Sequence, residues 1–159
     1  MTIRTDSPDA TRAVAAALGE LLVAGDVILL VGDLGAGKTA FAQGLARGLG
    51  IDEPVTSPTF TIVQEYAGRL PLAHVDVYRL DRVQDLYDLG FDELVDGNGV
   101  TVVEWGDLVE QSVPADHLVV RIDPGPADSE RVLDLSYNGP SWRARKNAVE
   151  AALRDGVAR

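Results

Sequence analysis

The chain has 159 residues, of which 46% are hydrophobic and 25% charged, so we expect one ordered globular domain spanning 1–159. Acidic residues outnumber basic residues by 25 to 14, which disfavours coating of a nucleic-acid duplex or an anionic membrane, because both need clustered positive charge. The absence of cysteine excludes disulfide bonds, thiolate metal ligands and cysteine nucleophiles.

The first predicted elements are a helix, a strand, a loop and a second helix. Ser7 and Pro8 are typical of a helix N-cap and first helical position, and apolar residues at helical spacing extend this helix to residue 22. The wholly apolar run 27–31 is typical of a central parallel strand that is buried on both faces. Helical spacing then returns over 39–49 and stops at a glycine.

The rest of the chain is richer in strands. Strand-like runs at 61–66 and 72–78 flank a short glycine-containing connection, which predicts an antiparallel hairpin. The same reasoning predicts a helix at 82–89, strands at 100–103, 118–122 and 132–135, and a C-terminal helix over 141–153 within the tail 141–159. Helices and strands that alternate at first, followed mainly by strands, indicate an α/β fold with a mixed sheet.

The segment GDLGAGKT at 32–39 matches the Walker A pattern G-x-x-x-x-G-K-[ST] and lies between a predicted buried strand and a predicted helix. Its glycines allow positive φ angles, and its N–H groups together with the helix N-terminus form a site for phosphate oxygens. We expect Lys38 to contact the β- and γ-phosphates and the Thr39 hydroxyl to ligate Mg²⁺. The predicted nucleotide-binding residues of the loop are Gly32, Asp33, Leu34, Gly35, Ala36, Gly37, Lys38, Thr39 and Ala40.

Two acids follow strand-like runs and are candidates for holding Mg²⁺ or its waters. Glu104 follows the apolar run 100–103, and Asp76 ends a shorter strand-like segment. The carboxyl ends of parallel strands converge where a ligand binds, so both acids can approach the loop. The alternatives are an exposed strand-end charge for Glu104 and a salt bridge, for example with Arg79, for Asp76.

Two further residues near these acids have less specific interpretations. His74 lies beside apolar residues and is more often structural than catalytic in such a setting. Trp105 is predicted to belong to the core or to a wall of the site, with stacking on a base as the alternative. The segment 57–60, with the hydroxyls of Ser57 and Thr59, resembles a switch loop that senses a γ-phosphate, or is a simple turn.

Four segments together resemble the TsaE family of small bacterial P-loop ATPases, which are required for making threonylcarbamoyladenosine in tRNA. They are GDLGAGKT (32–39), SPTF (57–60), HVDVYRL (74–80) and VVEWGD (102–107), in the family's order and with similar spacing. The resemblance covers about residues 1–137. It implies a P-loop NTPase-like three-layer fold, in which helices flank a sheet with a parallel core and additional antiparallel strands.

The same resemblance implies a set of roles. ATP would lie on 32–39, with Thr39 and Glu104 as Mg²⁺ ligands and Lys38, Asp76 and Glu104 as the catalytic residues. The protein would support the cycle of TsaD and TsaB through ATP binding and hydrolysis, while TsaD transfers the threonylcarbamoyl group and tRNA is reached only through the complex. The family's adenine pocket corresponds to Thr11 and Arg131 in this chain.

Two other functions remain open at this level. A P-loop small-molecule kinase also fits the pattern at 32–39, although no arginine cluster of the kind found in a lid appears in the middle third of the chain. A nucleotide-dependent clamp with negligible turnover is the second alternative. A GTPase is disfavoured because the sequence lacks the base-reading motif N/T-K-x-D.

The sequence also predicts where in the cell the protein is located. No apolar run reaches the length of about 18 residues that a membrane-spanning helix needs, and the N-terminal segment is neither a signal nor a transit peptide. We therefore expect a cytoplasmic protein without membrane contact. The basic residues of the tail 141–159 predict either a packing helix or a contact with tRNA or a partner.

Overall fold

The computed structural model describes residues 1–33, 35–58, 63–77, 88, 90–95 and 97–158. The strands in this part of the chain are β1 (Thr2–Thr5), β2 (Val27–Val31), β3 (Val63–Tyr66), β4 (Leu72–Asp76), β5 (Val100–Glu104), β6 (His117–Pro124) and β7 (Arg131–Asn138). The helices are α1 (Pro8–Gly19), α2 (Lys38–Gly48), α3 (Phe91–Val95) and α4 (Pro140–Ala158), with short 3-10 turns at Gly106–Leu108 and Glu110–Ser112.

These strands form one mixed sheet in the order β1-β7-β6-β2-β5-β4-β3. The four central strands β6, β2, β5 and β4 are parallel, whereas β1, β7 and β3 are antiparallel to their neighbours. The predicted α/β class with a parallel core and antiparallel additions is therefore confirmed. The predicted hairpin is β3 and β4, and the predicted helix at 82–89 lies outside the described residues apart from Asp88.

Helices cover both faces of the sheet, which explains the apolar run in β2. Ile28 and Leu30 pack toward α1, α2 and α4, whereas Val27 and Leu29 pack toward α3 and the 3-10 turns. Because successive side chains of a strand point to opposite faces, a strand between two layers needs apolar residues at every position. The result is the three-layer arrangement that the resemblance implied.

The ends of the first helix differ in how well the sequence predicted them. The Ser7 hydroxyl accepts a hydrogen bond from the Ala10 N–H at 3.0 Å, which confirms the N-cap. The predicted extension to residue 22 is wrong, because α1 ends at Gly19. Leu21 and Leu22 instead form a tight turn with hydrogen bonds of three-residue spacing, and this turn continues the apolar pattern beyond the helix.

Strand β1 was not predicted. It pairs antiparallel with β7 at the edge of the sheet, and only Ile3 and Thr5 of its four residues are buried. Two buried positions in a polar segment are too few for a recognisable alternation. Strands β6 and β7 are each eight residues long and exceed their predicted bounds at both ends.

The C-terminal helix α4 is a packing helix. Trp142, Val149 and Leu153 are buried against the rest of the protein. The Arg145 guanidinium donates to both carboxylate oxygens of Asp26, at 2.9 and 2.6 Å, and lies 4.1 Å from the centre of the Trp142 ring. None of the helices in the described part of the chain is long and apolar enough to cross a membrane.

Candidate functional site

The glycine-rich loop connects the carboxyl end of β2 to the amino end of α2. Gly35 and Gly37 have φ angles of 80° and 109°, a region that side-chain-bearing residues rarely adopt, so the loop needs glycine at both positions. The Ala36 N–H donates to the Asp33 carbonyl at 3.0 Å and closes a turn within the loop. Of the predicted loop residues, Leu34 lies outside those described.

Lys38 folds back over this loop. Its Nζ donates to the carbonyl oxygens of Gly32 and Asp33, at 2.7 and 2.8 Å, and lies 4.0 Å from the centre of the Trp105 ring. Burial lowers the pKa of Lys38 below its usual value, and the nearby carboxylates, Glu104 first, oppose this shift. The ammonium group is therefore held beside the loop by carbonyl dipoles and an aromatic face.

Thr39 and Glu104 come together across two elements. Thr39 is the second residue of α2, and its hydroxyl donates to the two oxygens of Glu104, at 3.2 and 3.4 Å. Glu104 is the last residue of β5 and is 3% exposed. A hydroxyl beside a carboxylate is an oxygen donor set that suits Mg²⁺.

The second predicted acid lies beside the first. Asp76 is the register partner of Glu104 in the parallel pair β4–β5, so the two strands end side by side. The Ser57 hydroxyl donates to Asp76 Oδ2 at 3.4 Å, which brings the predicted switch segment to the same end of the sheet. Thr59 and Arg79 lie outside the described residues.

A cavity of about 240 Å³ joins these groups. It is lined by Gly35, Gly37, Lys38, Thr39, Ser57, Asp76, Glu104 and Trp105. Trp105 is therefore a wall of the site, as one of its predicted interpretations stated. Its φ of 62° is left-handed, which costs about 1 to 3 kcal/mol in a non-glycine residue and is typical of functional sites.

A second cavity, of about 500 Å³, lies on the other side of the same loop. It is lined by Pro8, Thr11, Arg12, Gly35, Gly37, Ala40, Asp128, Ser129 and Arg131. The structure thus brings together Thr11, Ala40 and Arg131, all three of which were predicted to contact nucleotide. Arg131 donates to the Ala36 carbonyl at 2.8 Å, and the Thr11 hydroxyl is hydrogen-bonded to that of Thr5 at 2.7 Å.

Sequence reasoning missed four residues of this second cavity: Pro8, Arg12, Asp128 and Ser129. They come from α1 and from the turn between β6 and β7, which are remote in sequence and carry no motif. Only the tertiary contact of these two regions with the loop reveals them. In the described part of the chain, no cluster of three or more His, Asp or Glu side chains could hold a metal ion by itself.

His74 is also closer to the site than its sequence context indicated. It is fully buried in β4, and its Nε2 lies 2.5 Å from Glu104 Oε2. The apolar neighbours of His74 in the sequence favoured a structural residue over a catalytic one. The two-residue spacing of His74 from Asp76, on the same face of β4, was the signal that could have suggested this contact.

The fold and this loop define a class: the chain has a P-loop NTPase-like three-layer α/β fold. The family model described as "Threonylcarbamoyl adenosine biosynthesis protein TsaE" matches residues 5–132. The chain therefore belongs to the TsaE family of threonylcarbamoyl adenosine biosynthesis proteins.

Individual relatives agree with this assignment. The tRNA threonylcarbamoyladenosine biosynthesis protein TsaE of Bacillus subtilis is 46% identical over 155 residues, which cover 97% of this chain and 95% of that protein. The protein of the same name from Streptomyces coelicolor is 39% identical, over 84% of this chain and 95% of its own length.

The crystal structure of Bacillus subtilis YdiB superposes with a TM-score of 0.83 at 39% identity, covering 95% of this chain and 94% of that one. Because the alignment with the Bacillus TsaE protein covers 97% of this chain, the similarity extends into α4. The sequence motifs alone had indicated similarity only to about residue 137.

Proposed function

We propose that this chain is a Mg²⁺-dependent ATP-binding and ATP-hydrolysing protein that serves threonylcarbamoyladenosine formation in tRNA together with TsaD and TsaB. It would act through its nucleotide cycle and not perform the transfer itself. The observation that carries the proposal is the meeting of Lys38, the Thr39–Glu104 pair and Asp76 in one cavity beside the glycine-rich loop.

The residues of this cavity suit a triphosphate and its metal. Lys38 supplies a positive charge at the loop, and the N-terminus of α2 adds the partial positive charge of a helix end. Thr39 and Glu104 supply two oxygen ligands, a number that suits Mg²⁺ because this ion keeps several waters and binds phosphate oxygens. When bound, Mg²⁺ would neutralise charge on the phosphates.

Asp76 is the residue we assign to the attacking water. Its carboxylate borders the same cavity as Glu104 and accepts a hydrogen bond from Ser57. A carboxylate that orients water acts by positioning, which is the main contribution of proteins to phosphoryl transfer. Through its hydrogen bond to Asp76, Ser57 would couple the start of the predicted switch segment to the nucleotide bound in this cavity.

The second cavity supports binding of the nucleoside. It lies across Gly35 and Gly37 from the first cavity, so one ligand can contact both. Pro8, Ala40 and the aliphatic part of Arg131 offer apolar surface to a base, and Thr11, Asp128 and Ser129 offer polar atoms. We propose adenine as the base from the family resemblance.

The test is ATP hydrolysis by the purified protein with Mg²⁺, alone and with TsaD and TsaB. We expect slow turnover alone and faster turnover with both partners. High turnover that is independent of the partners would indicate a general ATPase. Tight ATP binding without turnover in either condition would favour the clamp, and turnover only with a small-molecule acceptor would favour the kinase.

Lys38→Ala tests whether this cavity is the nucleotide site. We expect loss of nucleotide binding, measured by calorimetry, because the variant lacks the charge that compensates the phosphates. Arg47→Ala is the matched control, since Arg47 is an exposed base in the last turn of the same helix. Unchanged ATP affinity and turnover in Lys38→Ala would refute the site.

A further inference from the structure

The parallel pair β4–β5 gives His74 a defined position below the two acids. Side chains of a strand alternate between faces, so His74 and Asp76 share one face of β4, and Val102 and Glu104 share the corresponding face of β5. The register pairs His74 with Val102 and Asp76 with Glu104. His74 therefore lies one step deeper in the sheet than the acids, on the side that α2 covers.

The contact between His74 and Glu104 is direct and shielded from water. His74 is 0% exposed and Glu104 is 3% exposed, and the distance from His74 Nε2 to Glu104 Oε2 is 2.5 Å. The Thr39 hydroxyl is nearer to the other oxygen, Oε1, at 3.2 Å. The Thr39 hydroxyl also reaches Oε2, at 3.4 Å, so Oε2 is held by His74 from below and Oε1 is the oxygen nearer to Thr39.

The surroundings of the ring assign its proton. The Nδ1 atom of His74 is buried and has no hydrogen-bond partner among the described residues. A buried N–H without an acceptor costs about 1 to 3 kcal/mol, so a proton on Nδ1 is disfavoured. We assign the proton to Nε2, which then donates to Glu104.

We propose that His74 is a positioning residue for the divalent cation: its Nε2–H fixes the Glu104 carboxylate so that Oε1 is presented beside the Thr39 hydroxyl. The proposal rests on the proposed function, because Glu104 and Thr39 are the assigned ligands. Hydrogen bonds from behind a ligating group fix its orientation, and loss of such a bond typically weakens metal binding by about 10- to 100-fold.

Two substitutions separate this role from simple core packing. His74→Leu fills the buried position with an apolar side chain and removes the donor, whereas His74→Gln keeps an N–H that can reach Glu104. His117→Leu is the matched control. His117 is the chain's other histidine and is also buried. It begins the central strand β6, at the end of the sheet opposite to the two acids, where its Nδ1 contacts the Pro114 carbonyl.

The measurement is the affinity for a non-hydrolysable ATP analogue by calorimetry, with Mg²⁺ and with a chelator. We expect His74→Leu to lower the Mg²⁺-dependent gain in affinity by about 10-fold or more, with metal-free affinity within about twofold of the original. His74→Gln should recover most of the gain, and His117→Leu should retain it. Binding of Mn²⁺ to the protein–analogue complex, followed by electron paramagnetic resonance, should weaken in the same order.

Two results would overturn the role of His74. One is an unchanged Mg²⁺-dependent gain in His74→Leu while Glu104→Gln loses it, which would leave the proposed function intact. The other is a long-range ¹H–¹⁵N spectrum of the unliganded protein that places the His74 proton on Nδ1. If the unsubstituted protein binds the nucleotide equally well with Mg²⁺ and with a chelator, the proposed function is refuted, and so is the positioning role of His74.

The role of His74 can be tested even if His74→Leu does not fold. Thermal unfolding measurements show whether each variant is folded. If His74→Leu is not, the test uses His74→Gln and the spectrum of the unsubstituted protein. A proton on Nε2, together with a retained Mg²⁺-dependent gain in His74→Gln, supports the proposal. A folded His74→Gln that loses metal-free affinity as much as Mg²⁺-dependent affinity contradicts it.

Discussion

Arg145→Ala is expected to destabilise the protein more than an alanine substitution of any other basic residue on α4. Asp26 is 5% exposed, and both of its oxygens accept from the Arg145 guanidinium. Among the described residues, this carboxylate also accepts a hydrogen bond from the Val23 N–H, at 2.8 Å. The substitution therefore removes two charged donors from a buried carboxylate that directly precedes β2, the strand before the glycine-rich loop.

The magnitude follows from these contacts. Removing one partner of a buried ion pair typically costs about 3 to 5 kcal/mol. The Arg145 side chain is 23% exposed and the Asp26 carboxylate keeps the Val23 N–H donor, so we expect a cost just below that range, about 2 to 3 kcal/mol in the free energy of unfolding. For a protein of this size the melting temperature should fall by about 4 to 12 °C.

Urea denaturation followed by circular dichroism measures this change. Arg143→Ala is the control, because Arg143 is exposed on the same helix and should alter stability by less than about 0.5 kcal/mol. Asp26→Asn combined with Arg145→Ala should cost less than the sum of the two single changes, since the unpaired charge is gone. A loss below about 0.5 kcal/mol in Arg145→Ala, or strict additivity in the double variant, would refute the reasoning.

Three further outcomes are expected. Glu104→Gln should lower nucleotide affinity by about 10-fold or more with Mg²⁺ but little with a chelator, and calorimetry that finds equal losses would contradict its role as a ligand. Asp76→Asn should keep nucleotide affinity and reduce ATP turnover by about 100-fold or more; loss of thermal stability alone would instead indicate a structural carboxylate. Burial raises the pKa of Tyr137 to about 12, above the unfolded value near 10, so its contribution to stability declines as the pH rises from 10 through 12. Tyr137→Phe should remove that part of the alkaline decline in urea titrations, and should not destabilise the protein near pH 7, because the buried hydroxyl has no hydrogen-bond partner among the described residues.

The central strand, the glycine-rich loop and the acid that ends β5 could be predicted because each is encoded by neighbouring residues. A strand buried on both faces must be apolar at every position, and a loop that approaches phosphate needs glycine where φ is positive. Glu104 follows an apolar run directly, so its place at a strand end is a local property. Such features depend on backbone conformation and periodicity, which a short sequence window contains.

Other features required the assembled fold. Strand β1 has only two buried residues, and its pairing with β7 joins positions more than 120 residues apart. The contacts of Arg145 with Asp26 and of His74 with Glu104 likewise join residues on separate elements. The sequence around Arg145 does not distinguish it from an ordinary surface arginine, and the sequence around His74 does not distinguish it from an ordinary core histidine.

The sequence by itself determined the α/β class with a mixed sheet, the loop at 32–39 and the two strand-end acids, because hydrophobic period and glycine placement act over a few residues. The tertiary structure alone decided that Thr39 meets Glu104, that Pro8, Asp128 and Arg131 line one cavity, and that His74 supports an acid from below. These contacts depend on strand register and helix placement, which are set by packing of the whole core and not by any local segment.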